Sequence, residues 1–119
     1  MLEQDLLAIE RRLWTGGPDE YQTALDDTLL MGFTAMAGVT DRDTVAGTVE
    51  PAARWRDLDL QVEGVLQPTD DVALITYRAQ ARRGDAELYR ALVSSGYVRR
   101  DGAWKLMFHQ QTPLVDAEA

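Results

Sequence analysis

The sequence contains no cysteine and only one histidine among its 119 residues. The lack of cysteine excludes disulfides, thiolate nucleophiles and zinc–thiolate sites. With one histidine, one chain cannot build a multi-histidine metal site, so we expect no metal and no cofactor. No stretch reaches the roughly 18 apolar residues of a membrane span, and the acidic N-terminus lacks the basic start of a signal peptide. We therefore expect a cytoplasmic protein with no membrane partner.

Positive charge is also scarce, because 12 lysines and arginines stand against 20 aspartates and glutamates, for a net charge of −8. Nucleic-acid backbones attract basic surfaces, so this balance predicts no nucleic-acid partner. Apolar residues make up 45% of the chain and charged residues 27%, which is ordinary for a globular protein. The length fits a single domain over residues 1–119 that buries roughly two-thirds of its unfolded surface.

The first half of the chain has the patterns of helices. Apolar residues recur at helical spacing from Leu2 to Trp14, and we assign the charged residues between them, Glu10 included, to the solvent face. Gly16-Gly17 and the following proline end this helix. The pattern then predicts a helix over residues 20–25 capped by Asp19, a strand over 28–33, a loop over 34–40, and a helix over 41–49 continuing to 55.

The second half has the two-residue period of half-buried strands. We predict strands over residues 58–63, 72–82, 87–99 and 103–113, with turns at 67–71, 83–86 and 100–102 and an acidic tail over 115–119. Helices that precede a run of strands indicate an α+β fold with helices on one face of an antiparallel sheet. Because such long strands must curve, we expect a cone-shaped sheet with the N-terminal helices on its concave face and a cavity between them.

The hairpin around Asp101-Gly102 sets the expected register of the last two strands. A three-residue loop with Gly102 at positive φ pairs Arg99 with Ala103. A two-residue loop would shift this pairing by one residue and exchange the two faces. The three-residue loop predicts the pairs Ser95 with Met107, Val93 with His109, and Ala91 with Gln111. In the preceding strand, the expected inner residues are Ala73, Ile75, Tyr77, Ala79 and Ala81.

These expectations define a candidate pocket for a mostly apolar small molecule with a carbonyl or hydroxyl group. His109 is a candidate general acid or base, because its unperturbed pKa lies near neutrality. Tyr77 is a candidate donor to a ligand carbonyl. A purely structural role stays open for both residues. The predicted ligand-binding residues are Trp55, Ile75, Tyr77, Val93, Ser95, Met107, His109 and Gln111.

The opposite face of the sheet is apolar in its middle, where we place Leu74, Leu106 and Phe108. An apolar sheet face without a covering helix requires a partner, so we expect a homodimer formed through this outer face. Tyr89 is assigned to the same outer face.

Several stretches together resemble the nuclear-transport-factor-2-like superfamily, which includes ketosteroid isomerases and SnoaL-like polyketide cyclases. These stretches are the Gly16-Gly17 helix end, residues 21–27 entering the first strand, and the closing residues 100–106 and 109–113. The resemblance covers nearly the whole chain and is nearest to the SnoaL-like and uncharacterised branch. It implies a cystatin-like α+β barrel, frequent homodimers and a pocket under the helices, but no single function.

Ketosteroid isomerases carry a general-base aspartate on the first strand. If Asp26-Asp27 marks the entry to that strand, this position falls at or near Gly32, and neither Met31 nor Phe33 supplies a carboxylate. The resemblance therefore does not extend to that activity, and no carboxylate can be placed in the pocket from the sequence. Three readings remain open: a small-molecule-binding protein, an acid/base enzyme (cyclase, isomerase or dehydratase) using His109, and a homodimeric assembly module with a vestigial pocket.

Overall fold

The computed structural model describes residues 1–85 and 87–115. Residues 116–119 of the predicted acidic tail lie outside this range. No helix in the described part of the chain combines the length and the apolar character needed to cross a bilayer. The elements are α1 Leu2–Thr15, α2 Pro18–Ala24, β1 Leu25–Phe33, β2 Met36–Asp41, α3 Arg42–Gly47, β3 Arg56–Thr69, β4 Val72–Arg82, β5 Tyr89–Arg100 and β6 Ala103–Pro113.

The six strands form one curved sheet in the order β2-β1-β6-β5-β4-β3, and the N-terminal helices precede it in the chain. The predicted α+β fold class is confirmed. All neighbouring strands run antiparallel except β1 and β6, which are parallel. Sequence periodicity reports which face of a strand is buried but not the direction of its neighbour, so the parallel pair could not be predicted from it.

β4 and β6 have the predicted bounds, whereas the middle of the chain differs from the prediction. The segment predicted as a loop contains β2, which pairs with β1 after a two-residue turn at Thr34 and Ala35. Small residues and Gly38, at a φ of 113°, hide the alternation of this mostly exposed edge strand. α3 ends at Gly47, well before Trp55, and Asp41 caps its start by accepting a hydrogen bond from the backbone N–H of Thr44.

The entry to the sheet also differs. α2 begins at Pro18, where the fixed proline φ suits the first helical position, and Asp19 is therefore inside the helix instead of capping it. β1 starts directly after α2 and includes Asp26 and Asp27, which we had placed outside the strand.

The predicted register of the last hairpin is wrong. Asp101 and Gly102 have φ values of 50° and 81°, which define a two-residue type I′ turn that pairs Arg100 with Ala103. Beyond Tyr97 a β-bulge inserts one extra residue, Met107, into β6, so that Ser95 faces His109. The shift made by the turn and the shift made by the bulge add up to two residues. On the side of the bulge away from the turn, the side chains of β5 and β6 therefore point to the faces of the sheet that were predicted for them.

The concave face of the sheet and the apolar stripe of α1 together form the core. The five predicted inner residues of β4 are all at most 3% exposed. Glu10 lies in the buried stripe of α1 and not on its solvent face, since it is one helical turn from Leu6 and from Trp14. Leu106, predicted on the outer face, is buried because it precedes the bulge and pairs with Leu25 and Tyr97.

The end of α1 depends on close packing at Gly16. A Cβ at this position would lie 2.5 Å from the carbonyl oxygen of Arg12 and 2.5 Å from Cγ of Glu20. Both distances are shorter than any normal contact, so the backbone between the two helices would have to move.

We predict that Gly16→Ala lowers the free energy of unfolding by about 1–3 kcal/mol, the usual cost of overpacking. Gly47→Ala is the matched control, because a Cβ there meets no atom within 4 Å and alanine is the better helix former. Urea denaturation compares the two variants with the wild type. Equal stabilities of the two variants would contradict this account of the α1 end.

Candidate functional site

A cavity of about 610 Å³ opens between the C-terminal end of α1, the α3 region, and the inner side of β1 and β6. Its wall is mostly apolar and aromatic, with a few polar and charged side chains. The polar and large aromatic side chains of the wall include Glu10, Trp14, Arg54, Trp55, Arg83, Tyr89, His109 and Gln111.

Glu10 is a buried carboxylate on the cavity wall, only 1% exposed. The Tyr77 hydroxyl donates a hydrogen bond to its Oε1, and the Tyr97 hydroxyl donates one to its Oε2. The Trp14 indole N–H donates to the Tyr77 oxygen at 2.9 Å. Because both carboxylate oxygens accept, the ionised form of Glu10 fits this network. The network connects α1 to β4 and β5 at the floor of the cavity.

The hydroxyls of this network resist ionisation. Burial is the largest cause that raises the pKa of Tyr77 and of Tyr97 well above the ordinary value of 10, and the negative charge of Glu10 raises both pKa values further. Burial also raises the pKa of Tyr21, and the neighbouring Arg54 guanidinium opposes part of that rise.

A second polar group, the Arg54 guanidinium, holds the C-terminal end of α1. Its Nε donates to the Gly16 carbonyl at 2.7 Å, and its Nη2 donates to the carbonyls of Leu13 at 2.6 Å and Trp14 at 2.9 Å. Nη2 also lies 3.1 Å from the Tyr21 hydroxyl, which itself donates to the Leu13 carbonyl. A cation at the negative end of the helix dipole is favourable, and these bonds fix the guanidinium in one orientation.

His109 is one member of a row of hydrogen-bonded side chains on the inner face of β5 and β6. Its Nδ1 lies 3.1 Å from Ser95 Oγ, and its Nε2 lies 3.0 Å from Gln111 Oε1. The Gln111 amide N–H donates in turn to the Tyr89 hydroxyl at 2.8 Å. Phe33 packs edge-on against the imidazole, with ring centroids 6.0 Å apart. Both ring nitrogens of His109 are therefore engaged with protein groups.

Aromatic rings form another part of the wall. Trp55 packs edge-on against Trp14 at 5.5 Å and lies against Tyr89 at 5.0 Å, with a tilt of 30° between the rings. The Arg83 guanidinium lies over the Trp55 ring at 4.3 Å from its centroid. This cluster links the segment between α3 and β3 to β5, and its flat aromatic rings form apolar surface on the cavity wall.

The eight predicted ligand-binding residues divide into three groups. Trp55, His109 and Gln111 line the cavity. Ile75, Tyr77, Val93 and Ser95 lie on the concave face but are buried beneath the cavity surface, at most 1% exposed. Met107 is the bulge residue and does not line the cavity; Leu106 lines it instead.

Three features of the site differ from the sequence interpretation. Tyr77 gives its hydroxyl hydrogen to Glu10, so it cannot also donate to a ligand carbonyl. Tyr89, which we had assigned to the outer face, pairs with Ala81 and points inward. The cavity does contain a carboxylate, Glu10, although β1 presents Met31 and no acid to it.

Some of these residues had a signal in the sequence and others had none. Glu10 stands four residues after Leu6 and four before Trp14, so the helical period itself placed it on the buried face. Arg54 lies in an irregular connection, where no periodicity reports the direction of a side chain. Among the described residues, no cluster of three or more histidine, aspartate or glutamate side chains could hold a metal ion.

No protein-family model matches the sequence, and no curated protein matches it. Solved structures do match. A nuclear-transport-factor-2-like protein of unknown function in nutrient uptake from Rhodospirillum rubrum superposes with a TM-score of 0.76 at 21% identity, over 93% of this chain and 99% of that chain. A putative calcium/calmodulin-dependent kinase II association domain from Exiguobacterium sibiricum gives 0.67 at 21% identity, over 98% and 94%.

A nuclear-transport-factor-2-like protein of unknown function from Prochlorococcus marinus gives a TM-score of 0.74 at 12% identity, over 96% of this chain and 94% of that chain. The chain therefore has the nuclear-transport-factor-2-like fold, and the resemblance found in the sequence is confirmed at that level. At these identities the likeness concerns the fold alone, and the SnoaL-like branch stays a prediction.

The buried tyrosines predict how stability depends on pH. In the unfolded chain Tyr77 and Tyr97 ionise near pH 10, whereas in the folded chain they keep their protons to higher pH. Above about pH 10 the unfolded state therefore binds fewer protons, and the free energy of unfolding falls as pH rises, by up to about 1.4 kcal/mol per pH unit for each group. Below that pH these groups leave stability unchanged.

Urea denaturation between pH 8 and pH 11.5 measures this slope. Tyr97→Phe removes one of the two hydroxyls, so the alkaline slope should fall by about one proton per molecule. An unchanged slope in Tyr97→Phe would show that this hydroxyl ionises in the folded protein as it does in the unfolded chain.

Proposed function

We propose that this protein is a small-molecule-binding domain whose ligand occupies the cavity between α1, α3 and the inner face of the sheet. One observation carries the proposal: a cavity of about 610 Å³ has a wall of aromatic and aliphatic side chains with a few convergent polar groups. That size and composition are typical of sites for small organic ligands. The expected ligand is mostly apolar and has a carbonyl or hydroxyl oxygen near His109 and Gln111.

Binding is better supported than acid/base catalysis by His109. A proton carrier needs a ring nitrogen that reaches the substrate. Both nitrogens of His109 are engaged, with Ser95 and with Gln111, and both oxygens of Glu10 accept from tyrosines. These contacts favour a fixed, polar binding wall. We therefore rank acid/base catalysis second to ligand binding as the function of the cavity.

A thermal-shift screen of small apolar ketones, enols and carboxylates tests the proposal. A ligand at 100 times its dissociation constant adds about 2.7 kcal/mol of stability, which is a shift of roughly ten degrees for a domain of this size. Ala35→Trp should abolish the shift, because Ala35 is exposed at the cavity and a bulky ring there fills the opening. Ala103→Trp, at an exposed alanine that does not line the cavity, is the matched control.

Retention of the full shift in Ala35→Trp would mean that the ligand binds elsewhere. No shift with any compound of the screen would count against small-molecule binding and in favour of the assembly reading.

A second proposed role, homodimer formation, is supported by an apolar row on the convex face of the sheet. Directly paired residues form this row across all six strands, and its exposed leucines are 36% to 62% exposed. The row consists of Val39, Leu30, Phe108, Gly96, Leu74 and Leu66. Gly96 allows Phe108 to approach the neighbouring strand closely, since a Cβ there would lie 3.2 Å from Phe108 Cβ. Such an extended apolar surface is typical of an interface.

The comparison with association domains is consistent with this role. One structural neighbour is the association domain of calcium/calmodulin-dependent kinase II from Caenorhabditis elegans, which superposes with a TM-score of 0.69 at 14% identity. We expect the wild type to sediment as a dimer at micromolar concentration. Leu74→Arg should yield monomers, because it places a charge in the middle of the row. Leu88→Arg, at an apolar side chain 39% exposed outside the row, should leave the dimer intact. A monomeric wild type would overturn the proposed dimer.

A further inference from the structure

The accessible charge of the cavity is opposite in sign to that of the whole protein. The net charge of the chain is −8, yet the charged side chains that line the cavity are Glu10, Arg54 and Arg83. Glu10 is 1% exposed and both of its oxygens already accept hydrogen bonds. Neither arginine forms an ion pair with any described residue. A ligand inside the cavity therefore meets two positively charged side chains, and neither of them is paired with an acidic side chain among the described residues.

Arg54 has one unused donor group. Its Nε and Nη2 are committed to the carbonyls at the end of α1 and to the Tyr21 hydroxyl, whereas Nη1 has no hydrogen-bond partner in the described chain. Nη1 is also not fully buried. It is therefore an accessible donor on a guanidinium whose position is already fixed. A cation held in this way loses little conformational entropy when it binds an anion.

The row of hydrogen bonds through His109 provides a second donor, on Tyr89. Ser95 is 1% exposed, so its hydroxyl hydrogen needs an acceptor, and His109 Nδ1 is at 3.1 Å. His109 then carries its proton on Nε2 and donates to Gln111 Oε1, and Gln111 donates to the Tyr89 oxygen. The hydroxyl hydrogen of Tyr89 is left without an acceptor among the described residues. Because Tyr89 lines the cavity, this hydrogen is available to a ligand.

We propose that the ligand of this cavity is a small organic carboxylate with an apolar body. Arg54 Nη1 is the fixed counter-ion of its carboxylate, the Tyr89 hydroxyl donates to a ligand oxygen, and Trp14 and Trp55 contact the apolar body. A carboxylate fits better than a phosphate, because a doubly charged group would need more donors than this largely aromatic wall supplies. This inference rests on the proposed ligand-binding function and specifies its ligand class.

Isothermal titration at pH 7.5 with two matched probes, 3-phenylpropionate and its uncharged amide 3-phenylpropanamide, tests the inference. The wild type should bind the carboxylate at least about tenfold more tightly than the amide, as expected for a charge-assisted hydrogen bond. Arg54→Gln should remove that preference. Tyr89→Phe keeps the ring and its contact with Trp55, so it guards against a folding defect in Arg54→Gln, and it should weaken carboxylate binding by about fivefold to tenfold.

Equal binding of amide and carboxylate to the wild type would overturn the carboxylate inference and leave small-molecule binding intact. A carboxylate preference that persists in Arg54→Gln would overturn the role of Arg54, and undiminished carboxylate binding in Tyr89→Phe would overturn the role of Tyr89. If neither probe binds while only the uncharged compounds of the wider screen do, the ligand class is wrong. If nothing in either set binds, the proposed ligand-binding function fails with it.

Discussion

The structure depends on how it accommodates one buried carboxylate. Burying an ionised glutamate is strongly unfavourable unless donors replace the water that it loses. Glu10 obtains those donors from Tyr77 on β4 and Tyr97 on β5, and Trp14 orders the first of these hydroxyls. Glu10 lies far in sequence from Tyr77 and Tyr97. Both hydrogen bonds to its carboxylate therefore form only when α1 lies on the concave face in one position. The buried carboxylate of Glu10 thus specifies the position of α1 on the concave face of the sheet.

The position of α1 in turn determines the cavity. The C-terminal end of the helix carries Trp14 into the wall and presents the carbonyls that hold the Arg54 guanidinium. On the opposite side, the bulge at Met107 aligns His109 with Ser95, and Gln111 connects this pair to Tyr89. The cavity wall is therefore assembled from two hydrogen-bonded groups of different character. One group satisfies a buried negative charge, and the other leaves the Tyr89 hydroxyl hydrogen without an acceptor among the described residues.

Much of the fold followed from sequence patterns that report burial directly. β4 and β6 have the predicted bounds, and the inner residues of β4 were correctly identified because the alternation of that strand is uninterrupted. β2 was missed because its small residues leave almost no alternation. The hairpin register failed for two other reasons. The turn has two residues where we predicted three, and a bulge of one residue has no signature in a strand with apolar side chains on both sides of it.

The candidate site was less predictable than the fold, and the reasons are specific. Glu10 was misassigned because charged residues on an amphipathic helix are normally solvated, although its spacing from Leu6 and Trp14 indicated the buried face. Arg54 could not be assigned, because its role depends on carbonyls 38 to 41 residues away in the chain. Tyr77 was placed on the correct face, but its partner on α1 lies 67 residues away and was not predicted.

A double-mutant cycle between Glu10 and Tyr97 tests most directly whether this buried network holds α1 on the sheet. Urea denaturation would be measured at pH 7 for the wild type, Glu10→Gln, Tyr97→Phe and the double variant, with Glu3→Gln as an exposed control on the same helix. If the network holds α1 in place, we expect a coupling free energy of about 1–3 kcal/mol and no measurable change in Glu3→Gln. Additive effects of the two substitutions, with a coupling near zero, would contradict it.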